Sequence, residues 1–279
     1  MKKVITALFI TLSLCILMIG SFMTVSASEI TIQDMKDKLV SEGLPNSYLQ
    51  RLTDSHIESL YKDSFEYDFS YTEETVYMND DTEVEKDDSA IVPYGHIDES
   101  MFKMQISKNT YLSSNNRVSK VNIVVYYEWV KNPMNKRTDG ITVNWDSSIF
   151  TFEAGSFYSY DKVLIHGVES KKLNESTVPD LAQQGGIGYS AVLGVHVDSS
   201  TPMGWARGTA TFNILPTNPI YQSSSAEGGA VTSINVNYVH DKTPIFGSIS
   251  FSYAGMGVTI NAPIFNDNSS ASLNFYYKK

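Results

Sequence analysis

From about residue 100 to its end, the chain alternates apolar and polar residues with a period of two, and that pattern leaves few architectures open. Val121, Ile123, Val125, Tyr127 and Trp129 share one face, with Asn122, Tyr126 and Glu128 on the other. Ile187, Tyr189, Ala191, Leu193, Val195 and Val197 alternate against Gly188, Ser190, Gly194, His196 and Asp198. Ala206, Gly208, Ala210, Phe212 and Ile214 alternate against Arg207, Thr209, Thr211 and Asn213. The same pattern continues through Ile234–Tyr238, Ile245–Tyr253 and Ala271–Tyr277. Successive strand side chains point to opposite faces, so these segments read as half-buried strands. Turn pairs such as Asp139-Gly140, Gly185-Gly186, Asn218-Pro219 and Gly228-Gly229 separate them. No long helical period intervenes, which excludes alternating β-α units. About ten strands over residues 100–279 predict a mainly β fold, an antiparallel β-sandwich, with a barrel as second choice.

Residues 28–63 carry a different period. Ile32, Met35 and Leu39 recur at helical spacing, Gly43 stands where a left-handed C-terminal cap belongs, and Pro45 follows. Tyr48, Leu49 and Leu52 form a second short pattern, and Thr53 is placed to cap a helix bearing Ile57, Leu60 and Tyr61. Helices this short need a partner surface, so a helical pair capping a sheet is expected.

Between these zones, residues 64–99 read as an acidic linker. Residues 54–99 hold 15 acidic side chains against Lys62 and Lys86, whereas residues 100–279 hold 12 acidic and 14 basic ones. The acidic run near 79–88 lacks the turn glycine and closing glutamate of a helix–loop–helix calcium loop, so a solvated, self-repelling segment is the simpler reading.

The first 27 residues have a signal-peptide layout. Met1-Lys2-Lys3 precede an uncharged apolar run from Val4 to Phe22, and Val25-Ser26-Ala27 offers small residues for cleavage near Ala27. Removal leaves 19 basic and 31 acidic residues, a net charge of −12, and no cysteine, because Cys15 lies inside the apolar run. The expected product is secreted and disulfide-free, which fits a Gram-positive bacterium. Zinc–thiolate sites and cysteine nucleophiles are excluded. Acidic balance argues against nucleic acid as partner, since phosphate binding needs a basic footprint.

Catalytic signatures are absent: no zinc-binding His-Glu-x-x-His, no nucleophile elbow, no phosphate or dinucleotide loop. His196, Asp198, His240 and Asp241 could supply metal ligands if their strands were neighbours, but solvated cross-strand pairs account for them more simply; no metal and no cofactor are expected. A carboxylate hydrolase needs two acids across a cleft, and no short spacing sets a second acid beside Glu128.

Strand parity instead selects a binding face. Trp129 and Trp145 share the apolar parity and belong to the core. Tyr126 and Glu128 share the polar parity of one strand, and Trp205 shares that of Arg207 on another. Tyr126, Glu128, Trp205 and Arg207 are thus the predicted ligand-binding residues of an extracellular module that recognises a surface polymer or protein. An alternative follows from residues 246–261, which are uncharged, alternate Ser or Thr with apolar residues and turn on glycines. A membrane-active hairpin has this character, with one face toward lipid and the other wet.

Overall fold

A computed structural model describes residues 30–76, 94–96, 102–129, 138–165, 168–193, 205–224, 229–241, 249–255, 257–261 and 266–278. The signal segment, His166, His196 and Asp198 lie outside these residues.

Alternation produces the expected antiparallel sheets, and more strands than the roughly ten read from sequence. The first sheet runs in the order β1 (Asp68–Val76), β3 (Phe102–Leu112), β4 (Val118–Trp129), β11 (Trp205–Pro216), β7 (Tyr158–Ile165) and β8 (Val168–Ser176), with β6 (Phe150–Phe152) also on β11. The second runs β12 (Gln222–Ser223), β16 (Asn266–Lys278), β13 (Ala230–Asp241), β5 (Thr138–Asn144), β10 (Gly186–Val192) and β9 (Leu181–Gln183). The short β2 (Tyr94–His96) joins β16 in parallel. The inner faces of the two sheets share one core that includes Phe102, Ile123, Val125, Trp129, Trp145, Ile187, Phe212, Val236 and Phe275. The sandwich reading and the core parity of Trp129 and Trp145 hold.

Several polar groups inside this core pair with one another, whereas the buried Tyr189 hydroxyl has no hydrogen-bond partner among the described residues. Trp129 Nε1 donates to Tyr238 Oη at 2.8 Å, Tyr238 donates onward to Asp139, and His240 Nδ1 lies 2.9 Å from Asp139 Oδ1. Across the sandwich, Tyr127 Oη and the Val192 amide each donate to Asp161 at 2.9 Å. His240 is thus buried against Asp139 instead of sitting on a solvated face.

Two stretches read as linker are strands. Asp68–Val76 pairs with β3 over nine residues as the edge of the first sheet. Its aromatic positions explain this: Phe69 and Tyr71 pack beneath the helical zone, and an acidic composition does not prevent pairing at a solvated edge.

The helices cap the outer face of the first sheet. α1 (Ile32–Ser41) starts on a capping box: the Asp34 amide donates to Thr31 Oγ1 and the Thr31 amide to Asp34 Oδ2. It ends at Gly43, φ 95°, with the Leu44 amide returning to the Leu39 carbonyl. After α2 (Asn46–Leu49), α3 (Asp54–Asp63) begins at the expected Thr53 cap. Leu39, Leu44, Tyr48, Leu49, Ile57 and Leu60 form a second core with Tyr111 and Val124 of the sheet. Tyr48 Oη donates to Asn122 Oδ1 at 2.9 Å, and Lys120 pairs with Asp63 at 2.7 Å.

One segment departs from its expected place. The alternation after Ile245 predicts further sandwich strands, yet β14 (Ser250–Ala254) and β15 (Gly257–Asn261) pair only with each other, among the described residues. They lie as a third layer on the outer face of the second sheet. A methyl group placed on Gly188 would stand 2.5 Å from Phe251, and one on Gly140 would stand 2.7 Å from Ile249. Side-chain-free positions are what let the hairpin seat there.

Candidate functional site

The helical cap does not cover the first sheet completely. Between α2 and the strands lies a cleft of about 350 Å³, lined by Ser47, Gln50 and Arg51 from the helical side and by four strands from below. Its floor is two neighbouring cross-strand rows. One row is Gln105, Tyr126, Thr209 and Tyr160; the next is Lys103, Glu128, Arg207 and Lys162. Alternation puts both rows outward, because Met104, Tyr127, Gly208 and Asp161 between them turn into the sandwich.

Arg51 ties the helical side to the sheet. Its guanidinium meets both Glu73 oxygens, at 3.2 and 3.3 Å, and stands 5.4 Å from the Tyr126 ring centre. Its carbonyl accepts from Tyr160 Oη at 3.1 Å. Gln105 Nε2 donates to Glu73 at 3.0 Å. Partial burial pushes the Glu73 carboxyl up, but hydrogen bonds from Tyr71 and Arg51 outweigh it and leave the group below its ordinary range. On the floor, Tyr126 Oη donates to Glu128 Oε2 at 2.9 Å. Burial first, then the negative charge of Glu128, pushes the Tyr126 phenol well above its usual range, so it acts as a neutral donor. Lys162 Nζ lies 5.1 Å from the Tyr160 ring centre.

Three of the four residues picked by strand parity, Tyr126, Glu128 and Arg207, line this cleft. The fourth, Trp205, opens β11 opposite Leu164, on the strand parity of Arg207; its side chain lies outside the described residues. Arg51, Lys103, Gln105, Tyr160 and Lys162 were not anticipated. Arg51, in the turn after α2, and Tyr160 and Lys162, on β7, meet β4 only through non-local packing, whereas Lys103 and Gln105 lie on β3, which pairs with the next strand β4, and already showed outward parity around Met104.

The other chemical candidates separate. Asp161 is on the opposite face of the first sheet from Glu128, so these two cannot work across one cleft. Asp146 accepts from the Ser148 amide at 2.8 Å, and Glu153 accepts from Asn213 Nδ2 at 2.7 Å. Among the described residues, no group of three or more His, Cys, Asp or Glu side chains is placed to hold a metal ion. The cleft can therefore bind and orient through hydrogen bonds and charge, with four cations (Arg51, Lys103, Lys162, Arg207) around Glu128.

No family model matches the chain, and no curated protein matches it. It is similar to a solved structure of AvmM, which catalyzes macrocyclization in alchivemycin A biosynthesis, at 13% identity over 61% of this chain and 93% of that one, with a TM-score of 0.27. So loose a likeness carries nothing across.

Proposed function

We propose that this chain is a secreted binding module whose recognition site is the cleft between α2 and the outer face of the first sheet. The observation that carries this reading is the two outward rows on β3, β4, β11 and β7, roofed by Arg51. They give a concave site with convergent polar groups, of a size ordinary for ligand pockets. Its partner would be an extracellular polymer or surface protein. The test is retention of purified residues 28–279 on intact bacterial and animal cells. Tyr126→Ala and Arg207→Ala should each release the protein while leaving its fold intact. Turnover of a polysaccharide or peptide that disappears in Glu128→Gln would replace the binder with a hydrolase.

A second reading, membrane activity of the β14–β15 hairpin, is favoured by its separate layer. Ser250–Asn261 carries no charged residue. A cavity of about 280 Å³, lined by Thr142, Asn237, Thr259 and Ser269 among others, lies between hairpin and sheet. Asn144 clasps the hairpin to the sheet: its side chain accepts from the Val258 amide at 2.7 Å and donates to the Val258 carbonyl at 3.0 Å. A Cβ on Gly257 would stand 3.8 Å from that of Asn144, the spacing of a disulfide. The pair Asn144→Cys and Gly257→Cys should therefore lock the hairpin down. If liposome dye release occurs and the oxidised lock leaves it unchanged, hairpin release is not its cause.

A further inference from the structure

The helical cap stands across the middle of a larger polar face. Beside the cleft already described, a second one of about 180 Å³ opens on the same outer face of the first sheet, between α3 and the strands. His56 and Asp63 line it from the helix, and Lys120, Asn122, Thr211 and Asn213 from the sheet. Strand register makes the two clefts parts of one surface. Gln105, Tyr126 and Thr209 form a row in the first cleft, and Tyr71, Asn109, Asn122 and Asn213 form a row that reaches the second. Between them, beneath the cap, runs the row Glu73, Ser107, Val124 and Thr211. Tyr126 and Asn122 are four residues apart on β4, so the outer two rows lie roughly 14 Å apart along it.

The middle of this face is polar where a permanent interface would be apolar. Tyr111 and Val124 are the fully buried residues that the sheet gives to the core of the cap. Near them Asn109 is completely buried, and neither its Oδ1 nor its Nδ2 has a hydrogen-bond partner among the described residues. An unpaired buried amide forfeits the hydrogen bonds that water would supply, so the seated cap carries a cost that lifting it removes. The polar contacts that hold the cap down are Arg51 with Glu73, Lys120 with Asp63 and Tyr48 with Asn122, each of a kind that contributes modestly in water. α1 and α3 also pack on each other, so the helices keep part of their own core when they leave the sheet.

We propose that residues 30–66 are a lid on the binding face: seated, they divide it into two clefts, and lifted, they leave one groove along β3, β4 and β11 for an extended polysaccharide strand. This rests on the binding reading above and adds the regulation of the site and the class of its ligand. The amides and hydroxyls of Gln105, Asn109, Asn122 and Thr211 suit sugar hydroxyls, and the Tyr71 and Tyr126 rings offer faces for the sugar rings. A strand that spans both rows takes the space that Tyr48 fills above Asn122, so binding and seating of the lid exclude each other. Apparent affinity therefore scales with the fraction of molecules whose lid is lifted.

The test uses purified residues 28–279, which carry no cysteine, so a single introduced thiol reports its own exposure. Ser107 is buried under the cap and Ser159 is buried inside the sandwich. Under native conditions iodoacetamide should alkylate Ser107→Cys well ahead of Ser159→Cys, each rate taken relative to the same protein in urea. Tyr48→Phe loosens the lid from its own side. It should speed alkylation of Ser107→Cys about fivefold and lower the protein concentration that half-saturates cells by the same factor. Asn109→Leu removes the unpaired amide and should slow the alkylation by a similar factor. Periodate treatment of the cells should abolish retention, and protease treatment should not. Equal relative rates at the two thiols overturn the proposal. So does a Tyr48→Phe variant that alkylates faster yet binds no better, and so does retention lost to protease alone. Retention that ignores both Tyr126→Ala and Arg207→Ala is instead the failure of the binding reading, and the thiol rates, which need no ligand, keep the two failures apart.

Discussion

Replacing Asp161 by Asn should flatten a specific part of the protein's pH–stability curve. Asp161 is 2% exposed, inside the sandwich on β7. Burial pushes its carboxyl up to about 6 from 3.8, even though the Val192 amide and Tyr127 hydroxyl favour its charged form. A folded-state value above the unfolded one means that the native protein holds this proton more tightly. The group's contribution to stability is then complete below pH 3.8 and disappears as pH rises through about 6. At about 1.4 kcal/mol per pH unit, the native state should lose about 3 kcal/mol from this group between pH 4 and pH 7. Asparagine cannot titrate, and it gives up one acceptor, a roughly constant cost of about 1 kcal/mol. The variant, equivalent to a permanently neutral acid short of one hydrogen bond, should therefore trail the parent by about 1 kcal/mol at pH 4 and exceed it by about 2 kcal/mol at pH 7. Urea unfolding of both proteins at each half pH unit from 4 to 8 measures the gap. Asp139, whose carboxyl burial also pushes up, and Glu73, which is held down, are present in both chains and largely cancel in the difference. Two parallel curves, or a lead of the parent over the variant that grows with rising pH, would refute the assignment of this burial cost to Asp161.

Other perturbations test other parts of the architecture. Gly208→Ala puts a methyl group into Tyr127 and Asp161, and should cost about 1–3 kcal/mol in urea unfolding, as overpacking does. Lys108 is buried beside the Phe275 ring and donates to the Asn274 carbonyl at 2.5 Å; burial pushes its ammonium down to about 8 from 10.5. Its folded value lies below its unfolded one, so the parent should gain about 3 kcal/mol between pH 8 and pH 10.5, and Lys108→Met should abolish that gain. Tyr48→Phe removes the hydroxyl that reaches Asn122 and should cost about 1 kcal/mol. A single unfolding transition in both proteins would show that cap and sandwich unfold together; an early transition confined to the variant would show that they do not. The oxidised Asn144→Cys, Gly257→Cys pair closes a loop of more than one hundred residues and should raise stability by up to about 4 kcal/mol over its reduced form.

What could be read from residues alone divides along local and non-local lines. Parity along one strand is local: it correctly turned Val125 and Trp129 inward and Tyr126 and Glu128 outward, because a period-two chain has only two faces to choose from. The caps at Gly43 and Thr53 act within a turn of their helices, and the end of α1 and the start of α3 follow from them. Strand order is non-local. Nothing near Lys162 announces that β11 will lie beside β7 and set it against Arg207, so the charged row that organises the cleft emerges only when the register is known. The edge strand Asp68–Val76 was hidden for a related reason. Its charge suggested solvation, and its aromatic face acquires a purpose only beneath helices folded from a preceding segment. The hairpin shows that one pattern can satisfy two environments. Ile249, Phe251 and Ile260 alternate with polar residues as sandwich strands do, and alternation alone cannot say which apolar surface they will meet. The deciding signal was on other strands: Gly140 and Gly188 stand at outward positions where a solvated strand would carry side chains. A strand pays for glycine in entropy and lost packing, and two outward glycines on paired strands therefore mark a face prepared for another layer. The residues that select the hairpin's seat are the ones with nothing on them, and a reading that looks for side-chain pattern passes over them.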